Sequence, residues 1–298
     1  MESDFLKAAD RGRSRFKDYA LALLFIVLGL IGLIVIFSLV VVIYRVAFGL
    51  PLDEFSFSEL SCSNKLLFAI GVYVCLALII LLITFKIHKR HPQTLINTRS
   101  KIRVKRILFG FTLWLLIRAL SSLVFSLLYP ERYSFVGFST TDFHIVSWGL
   151  VFCFSASLLI SVLVAYTLQA LNQLVRDSLL SIVYFILPIA AIVIFTSDNF
   201  QVLLFLLGIL NFIFFVWMIL QEEGIELNIG WLMANAFYVN FCVSSKSEGG
   251  NPLLAECPSF VVAGSLPEII GFLVPIAQIG IFYYVFLLDR GRNRTGVN

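Results

Sequence analysis

Long, nearly uninterrupted apolar stretches recur along this chain, and they limit its fold more than any other feature. A helix needs about 20 apolar residues to cross the hydrocarbon core of a membrane. Eight stretches of the chain approach that length, at residues 19–46, 66–85, 107–128, 145–168, 179–197, 200–220, 227–243 and 268–288. The sequence therefore predicts an all-α polytopic membrane protein with a single transmembrane domain over residues 19–288.

The basic residues before the first stretch could be mistaken for the start of a signal peptide. The apolar run that follows them extends from Tyr19 to Tyr44, well beyond the roughly 7–15 residues of a signal sequence. We therefore predict an uncleaved first helix behind a cytoplasmic tail at residues 1–18. The seventh stretch is the weakest of the eight, because it is short and contains three asparagines.

Lysine and arginine are distributed unevenly over the loops, which predicts the orientation of the chain. The tail at residues 1–18 has five, the loop at residues 86–106 has eight, position 176 has one, and the tail at residues 289–298 has three. The loops on the other side hold three in total. Because basic residues mark cytoplasmic loops, this 17-to-3 ratio predicts eight helices with both termini cytoplasmic. The predicted location is a bacterial inner membrane.

Few ionisable residues lie inside the predicted spans. No Asp or Glu falls at the centre of a span, and the three histidines lie in the basic loop or at a helix edge. Proton-coupled transport and metal-dependent chemistry inside a bilayer both need such groups. The five cysteines form no CxxC pair, and no basic run indicates a nucleic-acid surface. We therefore predict no cofactor, no metal site, no catalytic residue and no nucleic-acid partner.

Four polar residues are candidates for a groove or for partner contacts. Arg118 is the one charged residue well inside a span, with Ser121 and Ser122 on the same helical face. It either binds a lipid headgroup, a peptide carboxylate or a partner, or it pairs with other polar groups of the bundle, and we favour the second interpretation. The other three candidates are Gln169, Asn172 and Asn235.

Two loops carry further predictions. The loop at residues 86–106 mixes basic and apolar residues, so it is either a topology signal alone or a segment that lies on the anionic inner leaflet. On the outer side, Cys62, Cys242 and Cys257 could supply one disulfide if that side is oxidising.

Two segments resemble the CPBP family of intramembrane proteases, which includes CAAX-prenyl-protease-like, bacteriocin-processing and Abi proteins. Residues 87–114, IHKRHPQTLINTRSKIRVKRILFGFTLW, are similar to the inner loop and third helix of bacterial members. Residues 224–235, GIELNIGWLMAN, are similar to the family's late segment, G-x-E-x-x-x-G-x-H-x-x-N. With a weaker likeness at residues 9–13, the resemblance covers about residues 8–243.

The catalytic motifs of that family are missing from the matching positions. Active members carry Glu-Glu-x-x-x-Arg, Phe-x-x-x-His and a late His motif, and their Glu activates a water molecule. The first motif falls on residues 159–165, which read Leu-Ile-Ser-Val-Leu-Val-Ala. Pro188 and Leu232 stand where the other two motifs have His, whereas Asn235 is kept. The resemblance therefore implies a CPBP-like helical bundle that has lost its catalytic groups, a pseudo-protease.

These observations lead to one main functional hypothesis and three alternatives. The main hypothesis is a non-catalytic subunit, assembly factor or stabiliser of a membrane protein complex, in contact with lipids and other integral membrane proteins. An atypical CPBP-type protease would need His144 to activate Cys153 or Ser157, yet Cys153 lies about 13–14 Å farther along the helix. The others are a bacteriocin self-immunity protein and a transporter or lipid-handling protein.

Overall fold

The computed structural model describes most of the chain. The described residues are 4–13, 15–47, 62–99, 101–135, 140–175, 177, 180–184, 186–187, 202–245, 261–263 and 268–295. The helices within them are α1 (Asp4–Lys7), α2 (Phe16–Ala47), α3 (Cys62–Lys86), α4 (Gln93–Ile96), α5 (Val104–Leu128), α6 (Thr140–Val175), α7 (Val202–Glu222), α8 (Glu226–Phe237) and α9 (Glu268–Thr295).

Six helices in the described part of the chain are long and apolar enough to cross a membrane. They are α2, α3, α5, α6, α7 and α9. All six expose large apolar side chains on the surface of the bundle, which suits a lipid environment. The prediction of an all-α multi-pass membrane protein is therefore confirmed, whereas the count of eight spans does not match these six.

The two remaining predicted spans have different outcomes. The predicted span at residues 227–243 is not among these six, because α8 has only 12 residues there and extends about 18 Å. One π-helical turn, Tyr238–Cys242, continues it. Its first turn includes Glu226 and Asn228, which are fully buried in the protein. The predicted span at residues 179–197 falls mostly outside the described residues.

The centre of the bundle is the packing of α8 against α5 and α6. Glycines bring α5 and α8 very close together. A Cβ atom on Gly230 would lie 2.0 Å from the carbonyl oxygen of Ile107, and one on Gly110 would lie 2.5 Å from that of Leu227. Small residues permit such backbone approach between membrane helices. The surrounding core is rich in aromatic side chains, namely Trp114, Phe214, Phe215, Trp231 and Phe282.

Several helices meet at one end of the bundle, which we call the basic end. There α3 terminates at Lys86 and α5 begins at Val104. The carboxyl-terminal parts of α6, α7 and α9 reach the same end. Gln169 of α6 hydrogen-bonds to Thr94, and Glu222 of α7 and Asp289 of α9 pair with arginines at the start of α5.

A small sheet and a disulfide lie at the opposite end. The sheet has the order β1-β3-β2, in which β3 (Val261–Ala263) is antiparallel to β1 (Tyr133–Phe135) and parallel to β2 (Val243–Ser245). Cys62, the first residue of α3, is disulfide-bonded, whereas Cys242 is a free thiol. Cys257 lies outside the described residues.

Residues 4–13, which we call the N-terminal segment, pack against the basic end. The sequence predicts them as part of a cytoplasmic tail, but α1 and the 3-10 helix Ala8–Arg11 bury Phe5 and Leu6 in the core. Gln169 donates its side-chain amide to the carbonyl oxygen of Phe5 at 3.0 Å. The backbone N–H of Arg13 donates to the carbonyl oxygen of His88 at 2.7 Å. The segment therefore covers the basic end of α6.

Candidate functional site

Two loops lock together at the basic end, and we call this contact the clasp. It joins residues 96–103 to residues 222–226. The backbone N–H of Ile225 donates to the carbonyl oxygen of Ile96 at 2.8 Å. The backbone N–H of Thr98 donates to the backbone carbonyl oxygen of Glu223 at 3.1 Å. Gly224 lies between them without room for a side chain, since an added Cβ atom would approach the backbone of Ile96 to 2.9 Å.

Buried ion pairs hold the clasp together. The two terminal nitrogens of Arg103 lie 2.8 Å from a carboxylate oxygen of Glu222 and 2.9 Å from one of Glu226. The side-chain amide of Asn97 and the backbone N–H of Arg103 donate to the other oxygen of Glu226. Glu226 is fully buried and Glu222 is 4% exposed, so both carboxylates depend on these partners.

The charge on Arg103 responds to the same contacts. Burial alone lowers the pKa of its guanidinium, but the hydrogen bonds and charges of Glu226 and Glu222 outweigh burial and raise the pKa above its ordinary value. The clasp therefore stabilises the charged form of Arg103.

The start of α5 is also tied to α9. Arg106 forms an ion pair with Asp289 and lies 3.5 Å from a carboxylate oxygen of Glu222. Arg290, the next residue of α9, donates to the side-chain carbonyl of Gln221. These contacts join α5, α7 and α9 around a common space.

That space is a cavity of about 930 Å³, which is within the size range of small-molecule sites. It is lined by Arg99, Ile102, Arg103, Val104, Lys105, Arg106, Phe109, Gln221, Glu222, Glu223, Asp289 and Arg290. Arg99 and Lys105 are exposed, and neither forms an ion pair with a described residue. Arg103 and Arg106 in the cavity thus form ion pairs, whereas Arg99 and Lys105 at its edge have no carboxylate partner among the described residues.

Two of the residues predicted as site candidates lie near each other in the interior of the bundle. Arg118 donates to the side-chain carbonyl of Gln278 at 3.2 Å, and its guanidinium lies 4.6 Å from the ring centre of Tyr238. Asn235 accepts a hydrogen bond of 3.4 Å from the indole N–H of Trp114. These polar groups join α5 to α8, its π-helical turn and α9.

The other two candidates lie near the basic end of α6. The side-chain amide of Gln169 donates to the carbonyl oxygens of Phe5 and Thr94 at 3.0 and 2.9 Å, and the residue is fully buried. Asn172 lies one turn farther along α6 and is partly buried. The four candidates therefore form two groups at different depths rather than one groove.

The residues that an atypical protease would need belong to different environments. His144 accepts a hydrogen bond from the indole N–H of Trp148 at 3.1 Å. Cys153 is buried in a second core cluster with Phe152 and Phe237. The hydroxyl of Ser157 donates to the carbonyl oxygen of Cys153 at 2.6 Å. None of these contacts joins His144 to either nucleophile.

A histidine is buried where the N-terminal segment meets the loop after α3. The Nδ1 atom of His88 lies 2.9 Å from the carbonyl oxygen of Arg13, and Nε2 lies 2.8 Å from the hydroxyl of Tyr166. Because a carbonyl only accepts, Nδ1 carries the proton and Nε2 accepts from Tyr166. Burial lowers the pKa of His88, and the positive charge of Arg90 lowers it further, while the Arg13 hydrogen bond and Asp18 act in the opposite direction.

We expect this histidine to make the fold less stable in acid. Since its folded-state pKa lies below 6.5, the unfolded chain binds the proton more readily, and stability falls as the pH drops from 6.5 through the folded pKa. The midpoint of thermal unfolding in detergent, measured across this range, should fall more steeply for the native protein than for His88→Gln. Replacement of the exposed His91 by glutamine is the matched control. Equal slopes for all three proteins would contradict the assignment.

Comparison with known proteins found no match to this chain. No family profile, no curated protein and no solved structure matches it. The function must therefore be argued from the geometry of the molecule itself.

Proposed function

We propose that this chain is a non-catalytic, CPBP-like membrane protein that acts as a subunit, assembly factor or stabiliser of a membrane protein complex. The observation that carries the proposal is the position of α2. In its most apolar 18-residue window no residue is buried by the rest of the protein. Such a helix offers most of its circumference to other components of the membrane.

The contacts of α2 are confined mainly to α3. Gly29 faces that helix, since an added Cβ atom would lie 2.8 Å from the side chain of Ile79. Gly32, three residues later, has no neighbouring atom within 4 Å. Small residues are typical of surfaces where another membrane helix packs closely. This feature supports a helical partner that docks on α2 beside α3.

The proposed orientation has both termini in the cytoplasm of a bacterial cell. Two features at opposite ends of the bundle support it. The exposed cations Arg99 and Lys105 lie at the basic end, as expected of a cytoplasmic face. The disulfide of Cys62 lies at the other end, where an oxidising compartment would maintain it.

Purification from native membranes tests the partner directly. The tagged protein, extracted in mild detergent, is expected to retain a stoichiometric integral membrane protein that mass spectrometry identifies. Gly32→Leu is expected to reduce the retained partner at least tenfold, because a bulky side chain would separate the two helices. The fold should be unaffected, since Gly32 has open space around it.

The control is an equally open glycine on another spanning helix. Gly208 of α7 also has no atom within 4 Å of an added Cβ, so Gly208→Leu should keep the partner. Purification of the native protein alone would refute the complex. Retention of the partner by Gly32→Leu would refute the role of α2.

A further inference from the structure

The cavity at the basic end has more positive charge than its own carboxylates neutralise. Arg103 and Arg106 are held by Glu222, Glu226 and Asp289. The lining also has the acidic Glu223 and the basic Arg290, and the exposed Arg99 and Lys105 form no ion pair with a described residue. The geometry therefore selects for a compact anion near the edge of the cavity.

The same edge belongs to the first turn of α5, which adds to the attraction. The side chain of the N-cap residue Arg103 does not cap this helix, although its backbone N–H donates to Glu226, and the first turn contains no acidic residue. The N–H groups of the first turn and the helix dipole favour an anionic group at such a position. Phosphate satisfies both the N–H groups and the neighbouring cations.

The apolar surroundings of the cavity indicate where the phosphate comes from. Val104 lines the cavity and is 59% exposed, and Leu108, one turn farther, is 58% exposed. The ridge of exposed residues then continues along α5 at every fourth position, through Thr112, Leu116, Leu120, Val124 and Leu128. A ligand with its anionic group in the cavity would therefore have its tail directly on a lipid-facing helix.

We propose that this cavity binds the phosphate headgroup of an anionic glycerophospholipid, with an acyl chain along the exposed ridge of α5. The other part of the basic loop faces inward, since Leu95 is fully buried. Contact with the leaflet is thus concentrated at residues 99–105. The proposal requires that the chain spans a membrane, but it does not depend on the partner of α2.

The purified full-length protein can be tested in nanodiscs that contain phosphatidylglycerol and phosphatidylcholine in equal amounts. Native mass spectrometry would count the lipids that remain bound after release. We expect at least one retained phosphatidylglycerol and a strong preference over phosphatidylcholine. For Arg99→Gln/Lys105→Gln we expect the preference to fall by about 25-fold, since each cation near an anionic lipid contributes about fivefold.

A control with the same loss of charge separates the cavity from general attraction. Arg15 and Lys17 are exposed at the start of α2, on the same face of the membrane. Arg15→Gln/Lys17→Gln should keep the preference. As a second probe, Lys105→Glu places a negative charge at the cavity edge and should abolish it. Lys105→Glu and the two double variants all alter exposed side chains. Unchanged circular dichroism spectra would establish that these variants fold.

Three results would overturn the proposal. One is equal retention of the two lipids by the native protein. Another is unchanged preference in the variants of Arg99 and Lys105. The third is displacement of the lipid by millimolar inorganic phosphate, which would show a site for a free anion instead. None of these results depends on whether a protein partner co-purifies, so failure of one proposal is distinguishable from failure of the other.

Discussion

Replacing Glu226 with glutamine is expected to lower the free energy of unfolding by about 3 kcal/mol. The amide would place donor hydrogens against the donors of Arg103 and Asn97 and would leave Arg103 with one carboxylate instead of two. Removing one partner of a buried ion pair typically costs about 3–5 kcal/mol. The lower end applies because Arg103 is 18% exposed. Unfolding in mixed micelles titrated with sodium dodecyl sulfate would measure the change.

A neighbouring glutamate provides the matched control. Glu223 is only partly buried, and its side chain accepts one long hydrogen bond of 3.4 Å from Thr98. Glu223→Gln should therefore change the free energy of unfolding by less than about 0.5 kcal/mol. The double variant Glu226→Gln/Arg103→Met should lose more stability, because the buried Glu222 then keeps only Arg106 at 3.5 Å. Similar losses for Glu226→Gln and Glu223→Gln would show that burial of the pair is unimportant.

Replacing Gly230 with alanine should be at least as damaging. The new methyl group would lie 2.0 Å from the carbonyl oxygen of Ile107 and 2.8 Å from the backbone nitrogen of Phe111. Both obstacles are backbone, so no side chain can rotate away and α5 and α8 must separate. Overpacking usually costs about 1–3 kcal/mol and occasionally more, and a backbone clash belongs at or above the upper limit.

The comparison is with a glycine that has open space around it. Gly208→Ala in α7 should be neutral or stabilise the helix by about 0.5–1 kcal/mol, since alanine is the better helix former. Yield of monodisperse protein and the same unfolding titration would report both changes. A Gly230→Ala variant as stable as Gly208→Ala would mean that α5 and α8 are not in close contact.

Most of the spanning helices could be predicted from the sequence, because lipid offers no partner for the backbone and selects long apolar helices. The predicted span at residues 66–85 lies within α3, and that at 107–128 lies within α5. The segment at α8 does not match one of the six spanning helices, for a related reason. Hydropathy does not distinguish a helix that faces lipid from a short one buried among other helices. The asparagines of that segment were the available signal, since Asn228 bonds to the backbone of Phe215 inside the bundle.

The clasp was not predicted at all. The sequence places Glu222 and Glu226 in a short loop, where charges are usually solvated. Their partner Arg103 is 119 and 123 residues away along the chain, and no periodicity relates positions so far apart. The spacing of four between the two glutamates puts them on one side of a helical turn, but it does not identify what they face. Only the packing of the α7–α8 turn against the basic loop brings the three together.

The N-terminal segment has a consequence for the order in which the protein can assemble. Its contact residue Gln169 is 164 positions later in the chain than Phe5. At about 5–20 residues per second, roughly 8–30 s of synthesis separate the two. During that time α2, α3, α5 and most of α6 are synthesised, before Gln169 becomes available to Phe5. The first described part of the chain to leave the ribosome thus gains this contact only after three spanning helices and most of a fourth have been synthesised.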